Sequence, residues 1–193
     1  MTPALLITAA FLTGSIPFSW FIGRFMGVDL RKMGSGNPGA TNLMRSCGRY
    51  PGILGLLLDA LKGAAPVLLV RSTGVGWLPS AAAMAAILGH VLMPWFGFKG
   101  GKGVATALGA LLVLSPLPLL CSLGVFILAV ALFRMVSLGS VLGVAALVPF
   151  GLLFGADPSV IIVFAAVAFV VILGHRGNIG RIIHGTERRL GSR

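Results

Sequence analysis

Two lysines and three glycines stand together in residues 98–106 (FKGGKGVAT), between two apolar segments of the chain. Neither a hydrophobic core nor a bilayer requires this composition. Glycine allows backbone N–H groups to turn toward one point, and lysine adds a mobile positive charge. Such a stretch is typical of an anion site, most often for phosphate. The alternative is a flexible turn whose lysines extend to the membrane surface.

A second polar stretch, residues 34–42 (GSGNPGATN), is followed by Arg45. Gly, Asn, Pro and Ser are ordinary turn residues, but a turn seldom needs nine such residues in a row. An arginine guanidinium can bind a phosphate through two parallel hydrogen bonds. We therefore predict that this loop contributes Arg45 to the anion site.

Two of the three histidines, His90 and His175, each follow the tripeptide Ile-Leu-Gly. For His90 we expect only a favourable interaction with a helix dipole. Asn178 and several charged residues follow His175, which favours a catalytic or substrate-orienting role for this histidine. Glu187 stands among arginines and is expected to tether the C-terminal tail.

Asp59 and Lys62 are three residues apart within an apolar segment, so they share one face of a helix. Charges at such a position face the interior of a bundle or a watery cavity. Two interpretations remain open at this stage. The residues form a structural ion pair, or they line the site.

Several known catalytic patterns do not occur in the chain. There is no Gly-x-Ser-x-Gly elbow, no His-Glu-x-x-His and no Walker A spacing. No histidine has an aspartate five residues later. We therefore expect no protein nucleophile, and the substrate must carry its own activation. With only four Asp and Glu residues, we also expect no metal or other cofactor.

The elements that must position these groups are apolar. The chain is 57% apolar and only 10% charged, whereas soluble domains carry about 25% charged residues. This composition predicts an all-α membrane protein in which residues 1–193 form a single polytopic domain, and it excludes a nucleic-acid-binding module despite the net charge of +11. Seven apolar segments are predicted to span the membrane: about 3–23, 51–70, 76–96, 104–115, 117–133, 137–154 and 159–175.

The basic residues predict the orientation of this bundle. With the N-terminus outside and the C-terminus cytoplasmic, the inner loops and helix ends hold thirteen of the fifteen basic residues, and only Arg71 lies outside. The short re-entrant or Gly-rich loops and the starts of the second, fourth and sixth helices then converge on the cytoplasmic face, where helix dipoles favour anions. The thirteen basic residues are Arg24, Arg31, Lys32, Arg45, Arg49, Lys99, Lys102, Arg134, Arg176, Arg181, Arg188, Arg189 and Arg193.

Three blocks of the sequence resemble a known family. They are residues 35–42 (SGNPGATN) with Arg45, residues 89–106 with their FKGGKGVAT end, and residues 175–181 (HRGNIGR) with 185–187 (GTE). Together they resemble the signature blocks of the bacterial acyl-phosphate:glycerol-3-phosphate acyltransferase family. The members of this family are inner-membrane enzymes of phospholipid synthesis. The resemblance implies transfer of a fatty acyl group from acyl phosphate to the 1-hydroxyl of glycerol 3-phosphate. The implied products are 1-acyl-glycerol 3-phosphate (lysophosphatidic acid) and phosphate.

The resemblance also implies roles for individual residues. Ser35 and Arg45 serve substrate phosphate and activity, Lys102 binds glycerol 3-phosphate together with the glycines beside it, and His175 and Asn178 act in the site. Ser140 contacts substrate, and Glu187 is largely structural. Further substrate-binding residues expected from the same blocks are Gly36, Asn37, Thr41, Asn42, Lys99, Gly100, Gly101, Gly103 and Thr106.

Two other functions compete with an acyltransferase. A transporter of organic phosphates would also use basic residues and broken helices at a membrane face. It would need polar residues that continue to the outer face, and only Asp59 and Lys62 extend that way. A scaffold for lipid-synthesis enzymes would leave the glycines unexplained. The expected partners are glycerol 3-phosphate, acyl phosphate and membrane lipid, with a soluble enzyme that produces acyl phosphate as a further candidate.

Overall fold

The computed structural model describes residues 1–191; Arg193, one of the basic residues counted above, lies outside this range. The described residues form eleven α-helices and one 3₁₀ turn, and they contain no β-strand. The predicted all-α class is therefore confirmed. The chain divides into two compact units, residues 1–114 and residues 115 onward. That the units act as one functional domain stays a prediction.

The first unit is organised around its longest helix. It contains α1 (Pro3–Gly14), α2 (Phe18–Phe25), α3 (Ala40–Cys47), α4 (Arg49–Arg71), α5 (Leu78–Leu92), a 3₁₀ turn (Pro94–Phe96) and α6 (Val104–Leu114). The central helix α4 packs against all five other helices of this unit.

Glycines set the close spacing of the helices in the first unit. A methyl group at Gly63 on α4 or at Gly109 on α6 would overlap a backbone carbonyl of the facing helix. Gly14 on α1 and Gly89 on α5 face each other's helix in the same way. Small residues are the usual means by which helix backbones approach each other in lipid. The apposition of α4 and α6 fixes where the α6 N-terminus lies relative to α4.

The second unit contains α7 (Pro116–Phe133), α8 (Val136–Ala145), α9 (Leu147–Leu153), α10 (Pro158–Gly174) and α11 (Arg176–Ile183). Both α7 and α10 pack against α8 and α9. Pro116 and Pro158 open their helices, because proline has no N–H to lose in the first turn. His175 separates α10 from α11, which are bent by 61° at this point.

Each of the seven apolar segments predicted from the sequence is helical. Within residues 1–191, five segments are long and apolar enough to cross a membrane: Pro3–Phe25, Arg49–Arg71, Leu78–Phe96, Pro116–Phe133 and Val136–Leu153. A sixth results if α10 and α11 form one broken span. Helix α6 has 11 residues, or roughly 16 Å, and is shorter than the ~30 Å hydrocarbon layer. Seven crossings and their orientation therefore stay predictions.

Three local features differ from the sequence-based prediction. The first apolar segment is broken between Gly14 and Phe18, because Pro17 cannot supply a helix hydrogen bond. Residues 40–47, expected as part of a loop, form the helix α3. The stretch after His175 continues as the helix α11. Of these short elements, α3 and α11 carry residues of the predicted site.

Candidate active site

The Ser35 loop (residues 33–39) is built around the buried side chain of Asn42 in the first turn of α3. Its Nδ2 lies 2.9 Å from each of the carbonyl oxygens of Leu30, Met33 and Asn37. Its Oδ1 accepts a hydrogen bond of 3.0 Å from the backbone N–H of Ser35. The side-chain amide therefore determines the shape of the loop. Substrate binding through Asn42, as predicted from the sequence, would require these contacts to break.

The Ser35 loop and the helix α3 that follows it also expose several polar groups at the surface. Ser35, Gly36, Thr41 and Arg45 are exposed, with Arg45 in the last turn of α3. Asn37 is half-buried, and its Oδ1 accepts a hydrogen bond of 3.0 Å from the N–H of Gly39. The loop and α3 thus carry a guanidinium and two hydroxyl groups on one short, internally braced segment. Such a segment can bind an anion such as phosphate.

The lysine–glycine loop (residues 99–103) packs against the C-terminal end of α5. The N–H of Gly100 donates to the carbonyl of Val91 at 2.9 Å, and the N–H of Gly101 donates to the carbonyl of His90 at 3.0 Å. These two amides therefore point into the chain. Gly103 (φ +85°) then turns the backbone directly into α6, whose first-turn N–H groups have no partner within the helix.

The side chains around this loop differ in their exposure. Lys99 is exposed and Lys102 is half-buried, immediately before the start of α6. Thr106, in the first turns of α6, is 0% exposed, and its Oγ1 has no hydrogen-bond partner. The loop therefore brings an ammonium group to a helix N-terminus, where both favour an anion.

Asp59 and Lys62 form a buried ion pair in the interior of the first unit. Lys62 Nζ lies 2.7 Å from Asp59 Oδ1, and both side chains are at most 2% exposed. Lys62 Nζ also donates to the carbonyl of Ile16 at 2.6 Å, and Ser19 Oγ donates to Asp59 Oδ2 at 2.6 Å. The pair joins α4 to the break between α1 and α2. Its burial favours the structural ion pair of the two interpretations given above.

His90 was not among the site residues predicted from the sequence, yet it contacts this region directly. Its ring lies against Gly101, and its Nδ1 is 4.0 Å from Asp59 Oδ1. The only signal in the sequence was its place at the start of the second signature block. A helix-dipole interaction does not require the buried position that His90 occupies (4% exposed).

His175, in the second unit, is buried at the bend between α10 and α11. It is 3% exposed, and its Nδ1 lies 2.8 Å from the carbonyl oxygen of Val171. Because a carbonyl can only accept, Nδ1 carries the proton in the neutral ring. Nε2 is then the basic nitrogen, which is the arrangement that a general base requires.

Glu187 brings together three side chains of the second unit. Its Oε1 accepts hydrogen bonds of 2.7 Å from Ser137 Oγ and Asn178 Nδ2, and its Oε2 accepts one of 2.7 Å from Arg181 Nε. These contacts hold the C-terminal segment to α8 and α11, in agreement with the predicted tether. Ser140, one turn beyond Ser137, is buried and donates to the carbonyl of Val136 at 2.9 Å.

The pKa of Glu187 lies below its ordinary value. Burial raises this pKa, but the hydrogen bonds from Asn178, Ser137 and Arg181, with the charge of Arg181, outweigh that effect. A lowered folded-state pKa contributes stability above the unfolded value of 4.5, and that stability is lost as the pH falls through the folded value. The ionised carboxylate is therefore the stabilising form.

The Glu187→Gln variant is expected to be less stable than the wild type at neutral pH, because a neutral amide cannot replace a carboxylate with three donors. The expected loss in melting temperature is on the order of 3 °C. The difference should disappear as the pH is lowered below 4.5 and Glu187 itself becomes protonated. Thermal unfolding in detergent between pH 7 and pH 3 measures this. A difference that is independent of pH would contradict the tether.

The structure groups the predicted residues by unit. The first unit carries Ser35, Gly36, Asn37, Thr41, Asn42, Arg45, Asp59, Lys62, Lys99, Gly100, Gly101, Lys102, Gly103 and Thr106. The second unit carries Ser140, His175, Asn178 and Glu187, and Asn178 and Glu187 are in direct contact.

Comparisons with known proteins agree over nearly the whole chain. The model of a family described as glycerol-3-phosphate acyltransferase matches residues 4–185. A glycerol-3-phosphate acyltransferase of Trichlorobacter lovleyi is 48% identical over 185 residues, with 95% of each chain covered. One of Geobacter sulfurreducens is 47% identical over 192 residues, with 98% of each chain covered.

Two solved structures are similar in fold as well. Both are crystal structures of PlsY, an integral membrane glycerol 3-phosphate acyltransferase. The glycerol 3-phosphate form has a TM-score of 0.93 and 40% identity, covering 98% of this chain and 96% of that one. The lysophosphatidic acid form has a TM-score of 0.91 and 39% identity, covering 98% and 95%.

Proposed function

The chain belongs to the glycerol-3-phosphate acyltransferase family and is an integral membrane acyltransferase, and from this we propose its reaction. It transfers a fatty acyl group from acyl phosphate to the 1-hydroxyl of glycerol 3-phosphate. The products are 1-acyl-glycerol 3-phosphate (lysophosphatidic acid) and inorganic phosphate. This is the first acylation step of phospholipid synthesis.

One observation carries this proposal. The similar solved protein, 40% identical over 98% of this chain, is known in a glycerol 3-phosphate form and in a lysophosphatidic acid form. Those two molecules are the acceptor and the product of a single acylation. A similar fold at this identity supports the same acceptor and product here.

We propose that the protein is a single seven-helix domain in the bacterial inner membrane. Its N-terminus is outside, and its C-terminus and its reactive groups are on the cytoplasmic side. The distribution of basic residues supports this orientation, because thirteen of them then lie inside. On that side the protein can receive acyl phosphate from a soluble enzyme.

The phosphate of glycerol 3-phosphate is assigned to the lysine–glycine loop. Gly100 and Gly101 donate their N–H groups to α5, so these glycines contribute by close approach of the backbone. The N-terminus of α6 and the ammonium of Lys102 supply the positive field. Ser35, on the braced Ser35 loop, and Arg45, in the last turn of α3, supply further hydrogen bonds and charge to substrate phosphate.

The Lys102→Ala variant is expected to lower kcat/KM for glycerol 3-phosphate by about 10- to 100-fold, because a charge-assisted hydrogen bond to phosphate is lost. Most of the change should appear in KM. Lys32→Ala is the matched control, since it removes an equal charge from an exposed position without an assigned role. Steady-state kinetics with varied glycerol 3-phosphate measures the effect. Equal small effects of both variants would contradict this assignment.

The acyl transfer is a direct attack. Acyl phosphate is a mixed anhydride, so its carbonyl carbon is already activated. The 1-hydroxyl oxygen forms a bond to this carbon, and the bond from the carbon to the phosphate oxygen breaks. Inorganic phosphate leaves with the bonding electron pair. The protein contributes orientation and stabilisation of the negative charge that develops in the transition state.

The hydroxyl proton has two candidate acceptors. One is Nε2 of His175, which the hydrogen bond from Nδ1 to Val171 leaves as the basic nitrogen. The other is a substrate phosphate, whose second pKa of about 6 makes it a usable base. The tautomer of His175 favours the histidine. Asn178 and Ser140 lie on the same unit and are assigned to orienting substrate.

The experiment that tests the function uses purified protein in detergent with acyl phosphate and labelled glycerol 3-phosphate. The expected result is labelled lysophosphatidic acid and phosphate in equal amounts, with no product when acyl phosphate is omitted. The same protein in sealed vesicles tests transport. Uptake of glycerol 3-phosphate without lysophosphatidic acid would refute the acyltransferase and favour an organic-phosphate transporter.

A further inference from the structure

The imidazole of His90 fills the space beneath the lysine–glycine loop. It lies near the end of α5 and is 4% exposed. A methyl group built on Gly101 would overlap Nε2 of this ring and would lie 2.8 Å from Cε1 and 2.9 Å from Cδ2. The three nearest atoms all belong to the imidazole. The ring therefore sets how closely Gly101 can approach α5.

The opposite side of the ring faces a buried carboxylate. Nδ1 lies 4.0 Å from Asp59 Oδ1 and makes no hydrogen bond. That carboxylate is held by Lys62 at 2.7 Å and by Ser19 at 2.6 Å, all in the interior of the first unit. The imidazole thus lies between an anchored carboxylate and the backbone of the loop.

The backbone of His90 contacts the same glycine. Its carbonyl oxygen accepts a hydrogen bond of 3.0 Å from the N–H of Gly101. Gly101 is therefore held to one residue by a hydrogen bond and by ring contact. Lys102 is next in the chain, and α6 begins two residues after it. A displacement of Gly101 displaces the groups assigned above to phosphate.

We propose that His90 is a positioning residue for glycerol 3-phosphate binding. Its ring, enclosed in the interior of the first unit, holds Gly101 at the distance from α5 that aligns Lys102 and the N-terminus of α6 with the substrate phosphate. This proposal rests on the function proposed above. His90 acts through the loop and touches no reacting atom, so its loss changes the KM for glycerol 3-phosphate more than kcat.

The test is a double-mutant cycle between His90 and Gly101. Gly101→Ala forces the loop away from the ring and is expected to raise the KM for glycerol 3-phosphate about tenfold. His90→Ala alone should raise it about fivefold, because the loop loses its support. In the double variant the new methyl group occupies space that the ring has left. Its KM should return to the level of His90→Ala or below, which is a strongly non-additive result.

Gly100→Ala provides the matched control. A methyl group there would meet the backbone carbonyl oxygens of His90 and Val91 and Cβ of Met93. Removing the imidazole cannot relieve a collision with backbone. Combining Gly100→Ala with His90→Ala should therefore leave the defect at least as large as that of Gly100→Ala alone.

Three outcomes decide the proposal. Rescue of Gly101→Ala but not of Gly100→Ala supports it. Additive effects at both glycines, or a fall in kcat at unchanged KM, overturn it. If the wild type itself forms no lysophosphatidic acid, the proposed function fails, which is a separate result. Should His90→Ala not fold, as judged by melting temperature in detergent, His90→Asn gives the same cycle with a shorter polar side chain.

Discussion

The His175→Ala variant is expected to lose on the order of 10²- to 10⁴-fold in kcat, with little change in the KM for glycerol 3-phosphate. The expectation follows from the buried ring and its tautomer. Nδ1 lies 2.8 Å from the carbonyl oxygen of Val171 and so carries the proton, which leaves Nε2 as the base. Removing a group that acts only in the transition state lowers kcat and kcat/KM equally. Steady-state kinetics with both substrates varied measures this.

Two further variants separate chemistry from architecture. His175→Asn keeps an amide donor for Val171 but has no basic nitrogen, so it should be as inactive as His175→Ala. His184 is the matched control, because its Nδ1 also lies close to the carbonyl four residues earlier, at 2.7 Å from Gly180, but the side chain is exposed. His184→Ala should retain activity. A loss of only a few fold in His175→Ala would assign the proton to a substrate phosphate instead.

The Asp59→Ala variant is expected to cost about 3–5 kcal/mol of stability, because it leaves the Lys62 ammonium buried without its counter-charge. It also removes the acceptor of Ser19. For a chain of this size the loss corresponds to a fall of about 10 °C or more in melting temperature. Thermal unfolding in detergent measures it. Asp157→Ala, at an exposed helix cap, should cost only about 1 kcal/mol.

The double variant Asp59→Leu with Lys62→Met tests the reason for this loss. Replacing both charges with apolar side chains of similar size removes the uncompensated charge and should restore most of the stability. The pair would then be structural. A double variant as unstable as Asp59→Ala would contradict a structural ion pair. A double variant that is stable but inactive would return the pair to the site-lining interpretation.

The sequence predicted the apolar helices well, because a spanning segment must satisfy its own backbone hydrogen bonds and needs a long apolar run. The break between α6 and α7 at Ser115 agrees with the predicted segments of about 104–115 and 117–133, since Pro116 opens a new helix. Helices and helix starts depend on local sequence, which is why they could be predicted. The signature blocks gave His175, Asn178 and Lys102 as candidate site residues by residue type and spacing, and their roles stay predictions.

Other features depend on contacts between distant residues and could not be predicted. The break at Pro17 frees the carbonyl of Ile16, and Lys62, 46 residues later, donates to it. The imidazole of His90 contacts Gly101 only because the chain returns to the end of α5. Hydropathy and residue spacing do not indicate which residues that are distant in the sequence come into contact. The contacts of Asn42 were likewise not predictable. The sequence analysis predicted that Asn42 binds substrate, whereas in the structure its side chain supports the Ser35 loop.

The central claim of this account is that the acyl group passes directly between two bound anions without residing on the protein. The most direct measurement is rapid mixing of purified protein with acyl phosphate labelled in its acyl group, first without glycerol 3-phosphate. We expect no burst of phosphate and no label on the protein until glycerol 3-phosphate is added, after which phosphate and lysophosphatidic acid form in equal amounts. A burst of phosphate equal to the amount of protein, with the acyl label retained on the chain, would contradict the account.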